Sequence, residues 1–144
     1  MSEQIDGRCL CGAVEITLSA PAGWVGACHC SMCRRWSGTV FAGFPAAAET
    51  VRVTGQVRTY ASSEFAERAF CETCGSHLWV RDRAEGADYD LMPGLFAAAR
   101  DWPLKSEIYL DEAPAWLRIA GDHKTATREA YLAKNPQFRE VRDG

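Results

Sequence analysis

Seven cysteines fall in three tight groups: Cys9 and Cys11, then Cys28, Cys30 and Cys33, then Cys71 and Cys74. Thiols this close in sequence can aim their sulfurs at one point from a single turn, which suits a metal ion, whereas a disulfide between such neighbours would be strained. Their number is odd, and residues Met1 to Gly7 contain Glu3 and Asp6 with no apolar core. The expectation is therefore a cytoplasmic chain without a secretory signal, in a reducing compartment where a disulfide framework is the poorer reading. Zinc is the expected cofactor, two ions per chain, because four-coordinate zinc divides seven thiols most simply into four plus three. A closed four-thiolate site is structural. A site with three protein ligands normally completes its shell with water or substrate, the arrangement of catalytic zinc.

The central group supplies three thiols from one segment, so Cys28, Cys30 and Cys33 form the natural three-ligand site. Cys9, Cys11, Cys71 and Cys74 then combine into the closed one. A mixed site drawing on the central group is the other division, and His29 or His77 is the candidate to close the trio. Gly12 and Gly75 each follow a cysteine pair, where the backbone must bend toward an ion. Binding at a structural zinc site is worth about 10–16 kcal/mol, comparable with the stability of a whole domain. Loss of a flanking cysteine is thus expected to unfold the chain, and loss of a central one to damage function more than fold.

Short strands and turns are expected to position these groups. Ala13 to Leu18 alternates, with Val14, Ile16 and Leu18 on one face, and reads as a half-buried strand. Further strands are expected at Thr39 to Phe44, stopped by Pro45, at Glu49 to Thr54, and at Val57 to Tyr60 and Phe65 to Phe70 around a Ser62-Ser63 turn. His77 to Arg81, Asp88 to Met92, Glu107 to Leu110 and Trp116 to Ile119 complete the count. Pro93-Gly94 marks a turn. Helix is expected only as a turn at Ser31 to Trp36 and as a terminal helix at Thr125 to Lys134.

At 144 residues, 47% hydrophobic and 24% charged, the chain reads as one soluble domain, 1–144. A formal net charge of −3 gives no electrostatic footprint for nucleic acid. No apolar run approaches the ~20 residues of a membrane helix.

Cys-x-Cys-Gly, then Cys-His-Cys-x-x-Cys-Arg followed by Ser37-Gly38, then Cys-x-x-Cys-Gly, resembles the glutathione-dependent formaldehyde-activating enzyme family, which also contains centromere protein V. Ile108 to Ile119, with Ala113-Pro114 and Trp116, is similar to that family's C-terminal part. The resemblance spans about residues 7–119 and leaves 120–144 as a C-terminal extension. It implies a mainly β fold, a zinc-bridged β-tent of several short antiparallel sheets with a C-terminal helix. It also implies that Cys9, Cys11, Cys71 and Cys74 hold a structural ion and Cys28, Cys30 and Cys33 a catalytic one. The family's nominal reaction joins formaldehyde to glutathione as S-hydroxymethylglutathione, which is carbon–sulfur lyase chemistry.

The expected partner is accordingly a small thiol such as glutathione, with no nucleic acid and no membrane. An ion held by the trio would bind a substrate thiol as thiolate or polarise a carbonyl oxygen. Arg34 and Arg35 are candidates to meet a substrate carboxylate and Trp36 to form an apolar wall; the ordinary alternatives are an exposed arginine and a packed tryptophan. Glu64, Glu67 and His77 are candidate proton carriers, with nothing to single one out. Two other function classes fit the same residues. One is a non-catalytic zinc module that binds a protein, with five tryptophans available for an interface. The other is a redox sensor that releases zinc when Cys28, Cys30 and Cys33 are oxidised.

Overall fold

The computed structural model describes residues 3–139. In chain order the described elements are β1 (Ile5–Arg8), β2 (Glu15–Leu18), β3 (Val25–Cys28), α1 (Ser31–Ser37), β4 (Phe41–Ala46), β5 (Val51–Thr54), β6 (Val57–Ala61), β7 (Ala66–Cys71), β8 (His77–Asp82), β9 (Tyr89–Leu91), β10 (Leu104–Ile108), β11 (Lys124–Ala126) and α2 (Arg128–Lys134). The fold is mainly β, as the resemblance implies. The chain forms two compact units. Unit one takes the residues up to Gly23 together with Gly43–Trp102; unit two takes Trp24–Ala42 and the chain from Pro103. The last five residues of the expected C-terminal extension, 140–144, lie outside the described residues, as do Met1 and Ser2.

In unit one, β1, β2 and β5 form an antiparallel sheet in which Ile16 stands opposite both Gly7 and Val53. The alternation of β2 does what its pattern predicts: Val14, Ile16 and Leu18 are fully buried. Gly7 is required by close approach, because a Cβ there would lie 2.7 Å from the Phe96 ring. A second antiparallel set runs β6–β7–β8–β9 and on to the later residues of β4. Phe44 packs edge-on against Phe96 and Trp102 in one apolar core, which also takes in Leu78, Trp79 and Leu91. Leu78 and Trp79 are adjacent and both buried, so both faces of β8 are covered.

Pro45 does not stop β4. It lies inside the strand opposite Asp90, exposed and one residue from the strand end, where a missing N–H costs one ladder bond at most. The strand expected from Glu49 begins only at Val51, after a 3-10 turn at Ala48–Thr50.

Unit two is built differently. Its sheet is β3–β10–β11 with β10 central, and both pairings are parallel. Glu107 stands between Ala27 and Thr125, and Ile108 between Cys28 and Ala126. The helix expected at Thr125 starts later, because Lys124–Ala126 pair with β10; Thr127 then caps α2 through its side chain, which accepts from the Ala130 N–H at 3.2 Å. Trp116 to Ile119 is not a strand. Pro114 opens a turn there, closed by the Leu117 N–H on the Pro114 carbonyl, and Trp116 is exposed. No helix among the described residues is long and apolar enough to cross a membrane.

Candidate metal centres

The sulfurs of Cys9, Cys11, Cys71 and Cys74 all lie within 4.8 Å of one another, and so do those of Cys28, Cys30 and Cys33. The chain thus gathers its thiols four and three, each group inside one unit, and the mixed division is not formed.

Two loops of unit one make the four-thiol cluster. The first is the turn between β1 and β2, closed by the Gly12 N–H on the Cys9 carbonyl and the Cys9 N–H on the Val14 carbonyl. The second follows β7, closed by the Gly75 N–H on the Cys71 carbonyl. Gly12 and Gly75 both take positive φ, 82° and 76°, a conformation that side-chain-bearing residues rarely adopt. The Leu10 N–H donates to Ser76 Oγ at 3.0 Å and ties the loops together. Backbone N–H groups of Val14 and Ala13 point at the sulfurs of Cys9 and Cys11, at 3.3 and 3.4 Å. Such donors favour thiolate, the form that binds metal. Ser76 Oγ, 3.2 Å from Cys74 Sγ, brings the Cys74 pKa down to about 5. At Cys11 the Ala13 N–H also favours thiolate, yet burial and the crowding of Cys9, Cys74 and Cys71 push the thiol up to about 11. Four sulfurs gathered within 4.8 Å, with backbone N–H donors aimed at two of them, fit a divalent cation.

The trio is carried by β3 and the start of α1. Cys28 ends the strand, Cys30 caps the helix by accepting the Cys33 N–H at 3.4 Å, and Cys33 is buried on the first turn. Hydrogen bonds shared with Cys30 and Cys33, together with burial, raise the Cys28 pKa well above the ordinary thiol value. Three thiolates in one spot repel unless a cation lies among them, so these residues also fit a bound ion.

His29, between two of the thiols, does not join their group. It is fully buried and its Nε2 lies 2.5 Å from Glu107 Oε2. His123 Nε2 lies 2.7 Å from the other oxygen, Oε1. Burial alone would raise the Glu107 pKa, but the hydrogen bonds from His123 and His29 outweigh it and bring the pKa below the usual carboxylate value. Glu107 therefore holds its charge and accepts from both rings. The next residue but one, Tyr109, has φ 56°, unusual for a side-chain-bearing residue, and packs on Tyr131 of α2. Burial, with Cys30 and Cys28 close by, pushes its hydroxyl up to about 12.

The other candidates are placed as follows. Arg34 donates from Nε to the His29 carbonyl at 2.7 Å and turns its guanidinium toward Glu112, 4.0 Å away. Arg35 is exposed and Trp36 half-buried on the same helix. Glu64, Glu67 and His77 all belong to unit one; Glu67 stands opposite Arg81. Sequence reasoning missed Glu107 and His123 as partners of His29. Each is a single polar residue in or beside a short strand, and no spacing relates it to the thiols.

The family model described as glutathione-dependent formaldehyde-activating enzyme matches residues 4–112. A protein of Schizosaccharomyces pombe named as an uncharacterized lyase is 30% identical over 112 residues, 77% of this chain and 82% of its own. One from Halomonas elongata, which carries the same family description provisionally, is 28% identical over 130 residues and 80% of each chain. A crystal structure of a Rhodobacter sphaeroides protein superposes with a TM-score of 0.52 at 25% identity, covering 70% of this chain and all of that one.

Proposed function

Because the chain belongs to the glutathione-dependent formaldehyde-activating enzyme family, we propose that it is a zinc-dependent carbon–sulfur lyase acting on a thiol adduct of the S-hydroxymethylglutathione type. The observation that carries this reading is the trio: three sulfurs within 4.8 Å from one six-residue stretch, with no fourth ligand gathered among the described residues. In this reading Cys9, Cys11, Cys71 and Cys74 hold a structural zinc. Cys28, Cys30 and Cys33 hold the other, which when bound supplies Lewis-acid chemistry and a soft site for sulfur.

The reaction adds a thiol across a carbonyl. The sulfur–carbon bond forms, the carbon–oxygen π bond breaks, and the thiol proton ends on oxygen; the lyase direction reverses each change. The chain's own part is to hold geometry. The Cys33 N–H steadies the Cys30 sulfur, and the Arg34 Nε–H on the His29 carbonyl fixes the backbone between Cys28 and Cys30. Tyr109 keeps its hydroxyl proton near neutral pH, so Oη remains a donor. Arg34 and Trp36 on α1 are proposed to meet the carboxylate and carbon chain of the thiol. A substrate carboxylate would replace Glu112 as the guanidinium's partner, and in doing so would couple binding to the turn that carries Glu112.

Metal content and NMR exchange together test the reading. The intact chain is expected to carry two zinc ions, one yielded readily to a chelator. It should speed exchange between formaldehyde and glutathione, and Cys30→Ser should keep one ion and lose roughly a hundredfold or more of the rate. A single zinc in the intact chain, or exchange no faster than without protein, would overturn it.

A further inference from the structure

The described residues beyond the family match, from 113 on, pack against the earlier residues of unit two at several points. β11 extends the sheet along β10. The Arg128 backbone N–H donates to Asp111 at 2.8 Å and its guanidinium lies 3.4 Å from Glu112. Tyr131 covers Tyr109 at 5.6 Å between ring centroids. The fourth contact differs in kind, because it reaches toward the thiols. The His123 side chain, 5% exposed, delivers Nε2 to Glu107 Oε1, while Glu107 Oε2 holds His29.

We propose that His123 is a positioning residue for the Cys28–Cys30–Cys33 trio, acting through the Glu107 carboxylate on the His29 imidazole. The inference rests on the reading above that the trio holds an ion. His29 has no freedom to find another partner: it is fully buried and its Nδ1 has no hydrogen bond. One bond to Glu107 therefore sets both the tautomer and the tilt of the ring. The residue is also the one-residue spacer between two thiols, so a change in its tilt is passed to both through the shared backbone. Glu107 in turn depends on His123. A carboxylate 3% exposed keeps its charge only while both oxygens are satisfied. Without the His123 donor it must rotate toward His29 or take up a proton, and either alters the bond that holds the ring. Outer hydrogen bonds of this kind tune how tightly a site grips its ion without touching it.

The test uses the full chain loaded with zinc, and follows ion release to a chromophoric chelator from each cluster. The trio's phase is identified as the one missing in Cys30→Ser. His123→Phe keeps the ring's bulk and removes the donor; His123→Gln places an amide nitrogen near the position of Nε2. Release from the trio is expected to be roughly ten- to a hundredfold faster in His123→Phe and within about threefold of wild type in His123→Gln, with the four-thiol phase unchanged in both. In cobalt-loaded protein, His123→Phe should also shift the visible bands of the trio, and His123→Gln should restore them. Wild-type release in His123→Phe, acceleration of both phases together, or failure of His123→Gln to rescue would overturn the inference alone. One ion per wild-type chain would overturn the reading of the trio, and this inference with it.

Discussion

The four-thiol cluster of unit one and the three-thiol cluster of unit two are made of the same atoms but set in opposite surroundings. Cys9 and Cys71 belong to the apolar core, and Cys74 packs against it; their loops are 60 residues apart in sequence and meet only in the folded state. An ion there would staple the core. The trio comes from one stretch of six residues and is backed by charge, with Glu107 buried between two imidazoles. On the proposed reading, the same ligand chemistry would serve stability where it joins distant loops and reaction where one local segment supplies it.

The sharpest way to break this contrast is to remove one thiol from each. Cys71→Ser should abolish cooperative thermal unfolding or leave the chain insoluble, since about 10–16 kcal/mol of binding energy is at stake. Cys30→Ser should retain a cooperative melt. Equal damage to stability from both would erase the distinction.

A smaller effect compares two carboxylates, Glu107 buried and Asp90 half-buried. Glu107 is held below its ordinary pKa by two donors, whereas burial raises Asp90 on β9 to about 6, against a weaker lowering by Arg68. A raised pKa means that the folded state binds the proton more tightly than the unfolded one. The stabilisation is full below the unfolded value and is lost as pH rises through about 6. Asp90→Asn should therefore gain on wild type by about 1 kcal/mol between pH 5 and 7.5, read from denaturant midpoints of metal-loaded protein. A gap that stays flat would mean that Asp90 titrates alike in both states. The smallest effect is local to unit two: Thr127→Ala removes the cap of α2 and should cost about 1 kcal/mol or less in thermal melts.

The grouping of the thiols was legible because each pair or trio is local. Cys-x-Cys, Cys-x-x-Cys and a following glycine state their geometry within a few residues. Most strands of unit one were legible for the same reason, as in the alternation of β2 or the Ser62-Ser63 turn between β6 and β7, whereas β1, four residues with a glycine inside, was missed. Unit two was not. Its strands are three to five residues long and pair in parallel across distant sequence, so no hairpin signal marks them. Lys124–Ala126 became a strand because β10 offered an edge, against a pattern that suited helix. Glu107 reads as one more exposed acid until β3 and β11 flank it.

That pairing has a consequence for how the protein is made. β3 cannot find β10 until Leu104–Ile108 has left the ribosome, some 80 residues after Val25, or roughly 4–16 s later at typical synthesis rates. Throughout that interval the segment carrying Cys28, Cys30 and Cys33 lacks the Glu107 carboxylate that holds His29. The loops of unit one come within reach sooner, once Cys74 emerges. A nascent chain halted before Pro103 would hold all four thiols of the first cluster, but would leave the trio without Glu107 behind His29.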